Sequence, residues 1–314
     1  MDMTQNKCCR YGASLRRRRR RRRKILRSII FSCSIIAVAV FVAVGSSMIR
    51  SGDGRTNRYD VEAGNNTYDN AVIENSKISE NNKIQNEQSV LDDIMNSTQY
   101  PKQLQELALK NEEALEFVYD YPTEHVKEHT IDLTEEASMD SVPLFVQWDK
   151  RWGYEKYSGN FFAASGCGPT TLSMVVVYLT HNRDASPIAV AKYSKEAGYS
   201  VDGSGSSWTL ISEGCRHYGV KAKTVALDES RMKAELDAGH PIVVNVGPGD
   251  FTDTGHFMVI TGYDDEGFSI NDPNSIEKSG KRWLFRNISS QIRAVWSMYA
   301  VSYTHLTLPT ILLV

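Results

Sequence analysis

The stretch AASGCGPTTLSMVVVYLT, residues 163–180, sets a single cysteine between two glycines where a long apolar run begins. Gly166, Gly168 and Pro169 read as a tight entry into a helix, because proline in the first turn gives up only an N–H that has no intrahelical partner there. Cys167 is thereby expected at a helix N-terminus. Unpaired N–H groups and the positive end of the helix dipole favour an anion at that point, and thiolates so placed titrate at roughly 3.5–7.5, against about 8.5 for a free cysteine. This is where a nucleophile would be built. Two other readings compete: a buried structural thiol, and one half of a disulfide with Cys215, its only companion C-terminal to Cys33.

Two later stretches bear on the choice. In TGHFMVITGY, residues 254–263, His256 opens an apolar strand, and sixteen residues on, GFSINDPNS presents Asp272 at the end of the next strand. A hairpin of that length returns the end of the second strand to the start of the first. A carboxylate there can orient an imidazole and stabilise its charge, and the imidazole can take the proton of a thiol, which is the nucleophile, base and orienter logic of acyl transfer. Glycine-histidine before a strand, or Asp-Pro alone, is a weak signal. Together with GCGPT they form a constellation.

Around these motifs the chain reads as α+β. SPIAVAKYSKEAG, SSWTLISEGCRHYG and DESRMKAELDAG each carry a helix-start signal and end in glycine. VKAKTVA, PIVVNVG, HFMVITGY and GFSIND have strand composition and come mostly later in the chain. Upstream, PKQLQELALK and NEEALEFVYDYP are read as two short helices, the second capped by Asn111, forming a preamble to the domain.

The N-terminal part is of another kind. The formal charge of -2 divides unevenly: residues 1–50 hold thirteen Lys and Arg against Asp2 alone, +12, so the remainder carries -14. Arg16–Arg23 and Lys24 lead into the uncharged stretch SIIFSCSIIAVAVFVAVGSSMI, residues 28–49, which has about the twenty residues that a spanning helix needs. Positive charge before the span and acidic chain after it set residues 1–27 as a cytoplasmic tip and the bulk outside. The arginine run is read as topogenic, with no nucleic-acid partner expected. A cleaved signal peptide ending near VAVGSS is the alternative. Residues 50–95, rich in Asn, Glu, Ser and Gln, are expected to be a flexible stalk. Residues 96–300 then form the folded domain with its helical preamble. The tail VSYTHLTLPTILLV, residues 301–314, back-translates to a sequence resembling a transposon-end library adapter and is set aside from fold reasoning.

On QWDKRWG, SGCGPTTLSM, GSGSSW, GPGDF, GHFMVITGY and NDPNS the chain resembles the papain-like cysteine peptidases of family 39, over roughly Tyr100 to Ala300. These are typified by the double-glycine leader peptidase domains of bacteriocin exporters. The resemblance is nearest to their stand-alone, membrane-anchored relatives in Gram-positive bacteria. It implies a papain-like α+β fold in which a helical part carrying the nucleophile packs on an antiparallel sheet. It also implies Cys167 as nucleophile, His256 as general base and acid, and Asp272 as the orienting residue. One departure stands out. Such peptidases carry an oxyanion-hole glutamine shortly before the cysteine, where this chain has Phe161 and Phe162. Gln147, twenty residues upstream, is the candidate amide donor beside the Cys167 N–H, with Asn160 as the fallback and a strand-edge polar role for Gln147 as the alternative.

The expected activity is that of an extracellular, membrane-anchored thiol hydrolase acting on a peptide or protein substrate, with no cofactor and no metal. A cell-wall peptidase or amidase of the same chemistry and a catalytically weak peptide-binding module are the rivals. The HxxEH order of His125, Glu128 and His129 would suit an inverted zincin, but Pro122 before it and TIDLT after it leave no sustained helix. His181, His217 and His240 fall at helix ends, where charge compensation accounts for them. Cys215 is read as a core thiol beside Leu210, Ile211 and Tyr218.

Overall fold

The structure is a computed structural model that describes residues 85–301, all within the compact unit Ala71–Val314. The arginine run, the apolar segment 28–49 and the tail from 302 lie outside the described residues. Among the described residues no helix is long and apolar enough to cross a membrane.

Five helices matter to the site: α1 (85–96), α2 (Lys102–Lys110), α3 (Cys167–Thr180), α4 (Pro187–Glu196) and α5 (Glu229–Asp237). Six strands, β1 (Val220–Thr224), β2 (Ile242–Val246), β3 (His256–Asp264), β4 (Gly267–Asn271), β5 (Arg282–Trp283) and β6 (Ile292–Ala300), form one sheet in the order β1-β6-β2-β3-β4-β5. Every neighbouring pair is antiparallel. The α+β class is therefore as expected, with most of the sheet C-terminal to the helix that bears the cysteine.

The side-chain period of a strand is two, and β2 shows what that means when both faces are covered. Val243 joins a cluster with Leu172, Val176, Phe257, Val259 and Trp296 under α3. Ile242, Val244 and Val246 join the opposite cluster, with Met232 of α5, Met258 and Ile260. All five β2 residues are buried, which is why PIVVNVG reads as a continuous run rather than an alternation. Helix α3 obeys the same logic. Its residues from Gly168 to Val177 are all buried, so it is enclosed on every side, with the hydroxyls of Thr170 and Ser173 bonded to Gly166 O and Ala185 O.

The preamble packs by a third cluster. Ile94 of α1 and Leu104, Leu107 and Ala108 of α2 meet Phe117 and Val118 and reach Phe161 and Ala163, directly upstream of Cys167. Asn111 caps as expected, its side chain accepting from Glu113 N. Two differences from the sequence reading have clear causes. Helix α1 extends the folded body back into the segment expected as stalk, because Val90, Leu91 and Ile94 present a narrow apolar stripe amid polar residues. The helix expected through SSWTLISEGCRHYG breaks at Glu213 into the turn Thr209–Ser212 and the 3-10 turn Gly214–Tyr218. There Gly214 lies so near Tyr199 and Leu210 that a Cβ would stand 3.0 Å and 3.2 Å from them.

The glycines around Cys167 now have distinct reasons. A Cβ on Gly166 would stand 2.6 Å from the Phe162 ring, and one on Gly168 would stand 2.6 Å from Ser206 Oγ. Gly168 thus lets the 203–208 loop close onto the first turn of α3, where Tyr157 OH bonds Ser206 Oγ at 2.7 Å. Overpacking of this kind costs about 1–3 kcal/mol. Gly168→Ala is expected to lower Tm by several degrees in thermal melts of the soluble domain, at about 2–4 °C per kcal/mol for a body of this size, and Ser206→Gly introduced alongside it should recover part of the loss.

Candidate active site

Cys167 is the first residue of α3, with Gly166 as its N-cap, so the thiol stands where the helix presents unpaired N–H groups. His256 is the first residue of β3 and pairs with Val246, the last residue of β2. Helix α3 packs across β3, which brings its N-terminus to the start of that strand. The β3–β4 hairpin closes at Asp264 and Gly267, with a register shift between Ile260 and Gly262. Its second strand ends beside its first, and Asp272 follows directly.

His256 Nε2 donates to Asp272 Oδ1 at 2.7 Å. That leaves Nδ1 as the ring nitrogen free to serve the thiol. Both partners are buried, Asp272 completely and His256 at 6% exposure. Asp272 Oδ1 also accepts from Asn274 N at 2.8 Å, and Asp272 N donates to Ser279 Oγ at 2.9 Å. The carboxylate is thus fixed at both its backbone and its side chain.

Cys167 is partly buried and is a free thiol, in no disulfide. Burial pushes it up, but the His256 imidazole, by hydrogen bond and by charge, together with the N–H groups of Phe257 and Gly168, outweighs burial and brings it below the ordinary thiol value. Burial likewise pulls His256 down. The Asp272 carboxylate, by charge and by hydrogen bond, and the Cys167 sulfur reverse this and push the imidazole up to about 10. The two shifts run in opposite directions, which favours a thiolate–imidazolium pair across neutral pH.

Cys215 contrasts with it. It too is a free thiol, so no Cys167–Cys215 disulfide is present. It is fully buried in the cluster under α3, and burial pushes it up to about 11. The core-thiol reading fits this environment.

Of the two amide candidates, Gln147 is the buried one, at 4% exposure. Its Nε2 donates to Ala163 O at 2.7 Å, and its backbone N donates to Pro273 O at 2.7 Å. It thus spans from the segment ahead of Cys167 to the residue after Asp272. Asn160 lies in a small hairpin, and its Oδ1 accepts from the adjacent Phe161 N. The other histidines among the described residues are elsewhere. His181 ends α3 and donates from Nδ1 to Ala137 O, His217 stacks on Tyr193, and His240 pairs with Glu235. His125 stacks on Tyr121 while His129 turns to Glu124, so the HxxEH residues do not converge.

Sequence reasoning missed the groups that fix the Asp272 turn. Ser279 lies seven residues beyond Asp272 in no recognisable pattern, and the N–H of Phe257 belongs to a residue otherwise read as core. Trp208, the last residue of the GSGSSW stretch, is 47% exposed. Its ring meets Trp296 edge-on at 6.0 Å, and Trp296 in turn lies 6.4 Å from Phe257. The GPGDF loop packs by Gln291 and Trp283.

A free thiol at the N-terminus of a helix laid across an antiparallel sheet, beside a buried His–Asp pair, is an arrangement suited to a thiol-dependent hydrolase. The family model described as Peptidase_C39 like family matches residues 139–303, and the chain belongs to that family. It is a cysteine peptidase. Among solved structures, the chain is similar to the peptidase domain of Streptococcus ComA, described as a bifunctional ABC transporter of a quorum-sensing pathway. That likeness has 18% identity and a TM-score of 0.38, covering 51% of this chain and 99% of that one. It is also similar to a putative C39-like peptidase from Bacillus anthracis, at 16% identity and a TM-score of 0.32, over 51% of this chain and 95% of that one. None of the curated proteins compared with the chain matches it.

The opposed shifts predict a pH signature. Alkylation of Cys167 by iodoacetamide should remain fast well below the ordinary thiol value, with its acid limb set by Cys167 and a second inflection near 10 as His256 loses its proton. Cys215 should stay unlabelled throughout in the folded protein. Peptide mapping of the alkylated domain at each pH checks both.

Proposed function

We propose that this protein hydrolyses peptide bonds through Cys167, His256 and Asp272 acting as a unit, in a domain held outside the cell by its N-terminal apolar segment. The observation that carries the chemical part is the 2.7 Å bond from His256 Nε2 to a fully buried Asp272, beside a thiol at a helix N-terminus. Asp272 holds the imidazole so that Nδ1 faces Cys167 and stabilises the imidazolium once the thiol proton has moved there. The thiolate adds to the scissile carbonyl. The tetrahedral oxyanion is taken by the Cys167 N–H and by the Gln147 amide, which must release Ala163 O to reach it. His256 then protonates the leaving amine, and water attacks the acyl-enzyme with His256 as base.

Cys167→Ala should abolish cleavage of a peptide library by the soluble domain as well as labelling by an electrophilic probe, with the thermal transition unchanged. His256→Ala should be nearly as severe, and Asp272→Asn should retain some activity. Gln147→Ala should cost on the order of 10- to 1000-fold in kcat/KM, and Cys215→Ser should match the parent. Cleavage that survives Cys167→Ala overturns the proposal. Reactive thiol without any cleavage would instead leave a peptide-binding module, and turnover confined to cell-wall peptides would favour the amidase reading.

The location rests on the arginine run preceding residues 28–49 and the acidic balance after them. Protease added to intact cells should remove the domain and leave the N-terminal tip protected. A secreted form beginning near Gly45 or Ser46 would establish a cleaved signal peptide in place of an anchor.

A further inference from the structure

The turn that carries Asp272 is gripped from a distant part of the chain. The Glu113 carboxylate accepts at Oε1 from Ser275 Oγ and at Oε2 from Ile276 N at 2.7 Å and Glu277 N at 3.1 Å. Asn111 Nδ2 donates to Asn274 O at 2.9 Å and to Asn274 Oδ1 at 3.1 Å. Within the turn, Ser275 N donates to Asp272 O at 3.1 Å, and Ser279 Oγ accepts from Asp272 N and donates to Ser275 O at 2.7 Å. The grip therefore passes to Asp272 through two short, bonded steps. Ser275, at 4% exposure, is shielded from water, so its hydroxyl has few other partners to choose. Both gripping residues precede residue 139, where the family match begins.

We propose that Glu113, assisted by Asn111, is a positioning residue for the reaction, holding the 272–279 turn so that Asp272 meets His256, and that the helical preamble is thereby part of the catalytic unit. This rests on the reading of Cys167, His256 and Asp272 given above. Neither residue touches substrate or the reacting atoms; each acts through Asp272. A carboxylate suits the task because it accepts from a hydroxyl and two backbone N–H groups at once, whereas an amide offers a single acceptor oxygen. The charged and titratable groups that bear on the site are few. His256 faces Asp272 and Cys167, and Cys167 faces His256 and Tyr157. Glu113, Glu277 and Lys278 lie at the turn itself, Lys278 Nζ donating to Phe251 O at 3.4 Å.

The test reads the ion pair directly and needs no substrate. The rate of iodoacetamide alkylation of Cys167 is followed against pH in the soluble domain that keeps the preamble. With Asp272 loosened, the imidazolium is less well stabilised, so the acid-limb inflection should rise by about 0.5–1 pH unit in Glu113→Ala. Glu113→Gln, which keeps length and one acceptor oxygen, should rise by less than Glu113→Ala, recovering the parent inflection only in part. Asn111→Ala should give a smaller shift in the same direction, and it serves where Glu113→Ala does not fold. In Asp272→Asn the inflection rises as well, and adding Glu113→Ala to it should move it little further, because the two act in series. Inflections in Glu113→Ala and Asn111→Ala equal to that of the parent, with only Tm reduced, would overturn the proposal and make the grip purely structural. A parent domain whose Cys167 titrates as an ordinary thiol would instead refute the underlying ion-pair reading.

Discussion

The bond between His256 and Asp272 is the contact on which the site depends. It can form only if the β3–β4 hairpin closes in the observed register, since a slip of one residue would send each of its side chains to the opposite face. The same register decides which side of the sheet receives α3: Phe257 and Val259 face the helix, while Met258 and Ile260 face α5. That alternation sets the apolar seam that seats α3, while His256, at the first position of the strand, lies at its end beside Asp272.

Burying an ion pair is costly unless its remaining polar atoms are satisfied. The protein meets that condition largely with backbone. Asn274 N bonds the carboxylate, the Phe257 and Gly168 N–H groups bond the thiol, and Ser279 bonds the backbone of Asp272. Asp272 Oδ2 is the exception, buried without a hydrogen-bond partner among the described residues. Such an arrangement suits chemistry better than stability. The opposed shifts of Cys167 and His256 persist because each group is in contact with the other, whereas Cys215, fully buried and without an imidazole beside it, is pushed up by burial.

How legible all this was depends on range. Cys167, His256 and Asp272 stood out because each sits at an element boundary marked by Gly or Pro, and because a hairpin of known length relates two of them. The continuous apolar run of β2 and the amphipathic stripe of α2 were legible for similarly local reasons. The break at Glu213 was not, since it answers to the packing of Tyr199 and Leu210 around Gly214, residues that share no period with it. Helix α1 was masked by its polar neighbours. Asn111 was readable as a cap, but its bonds to Asn274 cross 163 positions, and no periodicity carries that information. Gln147 lies between these cases: its side-chain type was conspicuous, while its bridging position between Ala163 and Pro273 appears only in three dimensions.

The third apolar cluster gives the N-terminal helices a mechanical place in the molecule. Tension entering the chain ahead of residue 85 passes first into α1, then through Ile94 and Leu104 to α2, and from there to Phe161, Ala163 and the 272–279 turn. Strand β6, the last described element, lies in the sheet interior between β1 and β2. A pull between the two ends would thus peel the preamble from Phe161 and from Ser275 before it sheared the sheet. The first rupture under force would leave the two large cores intact while parting the contacts that brace the acid of the ion pair.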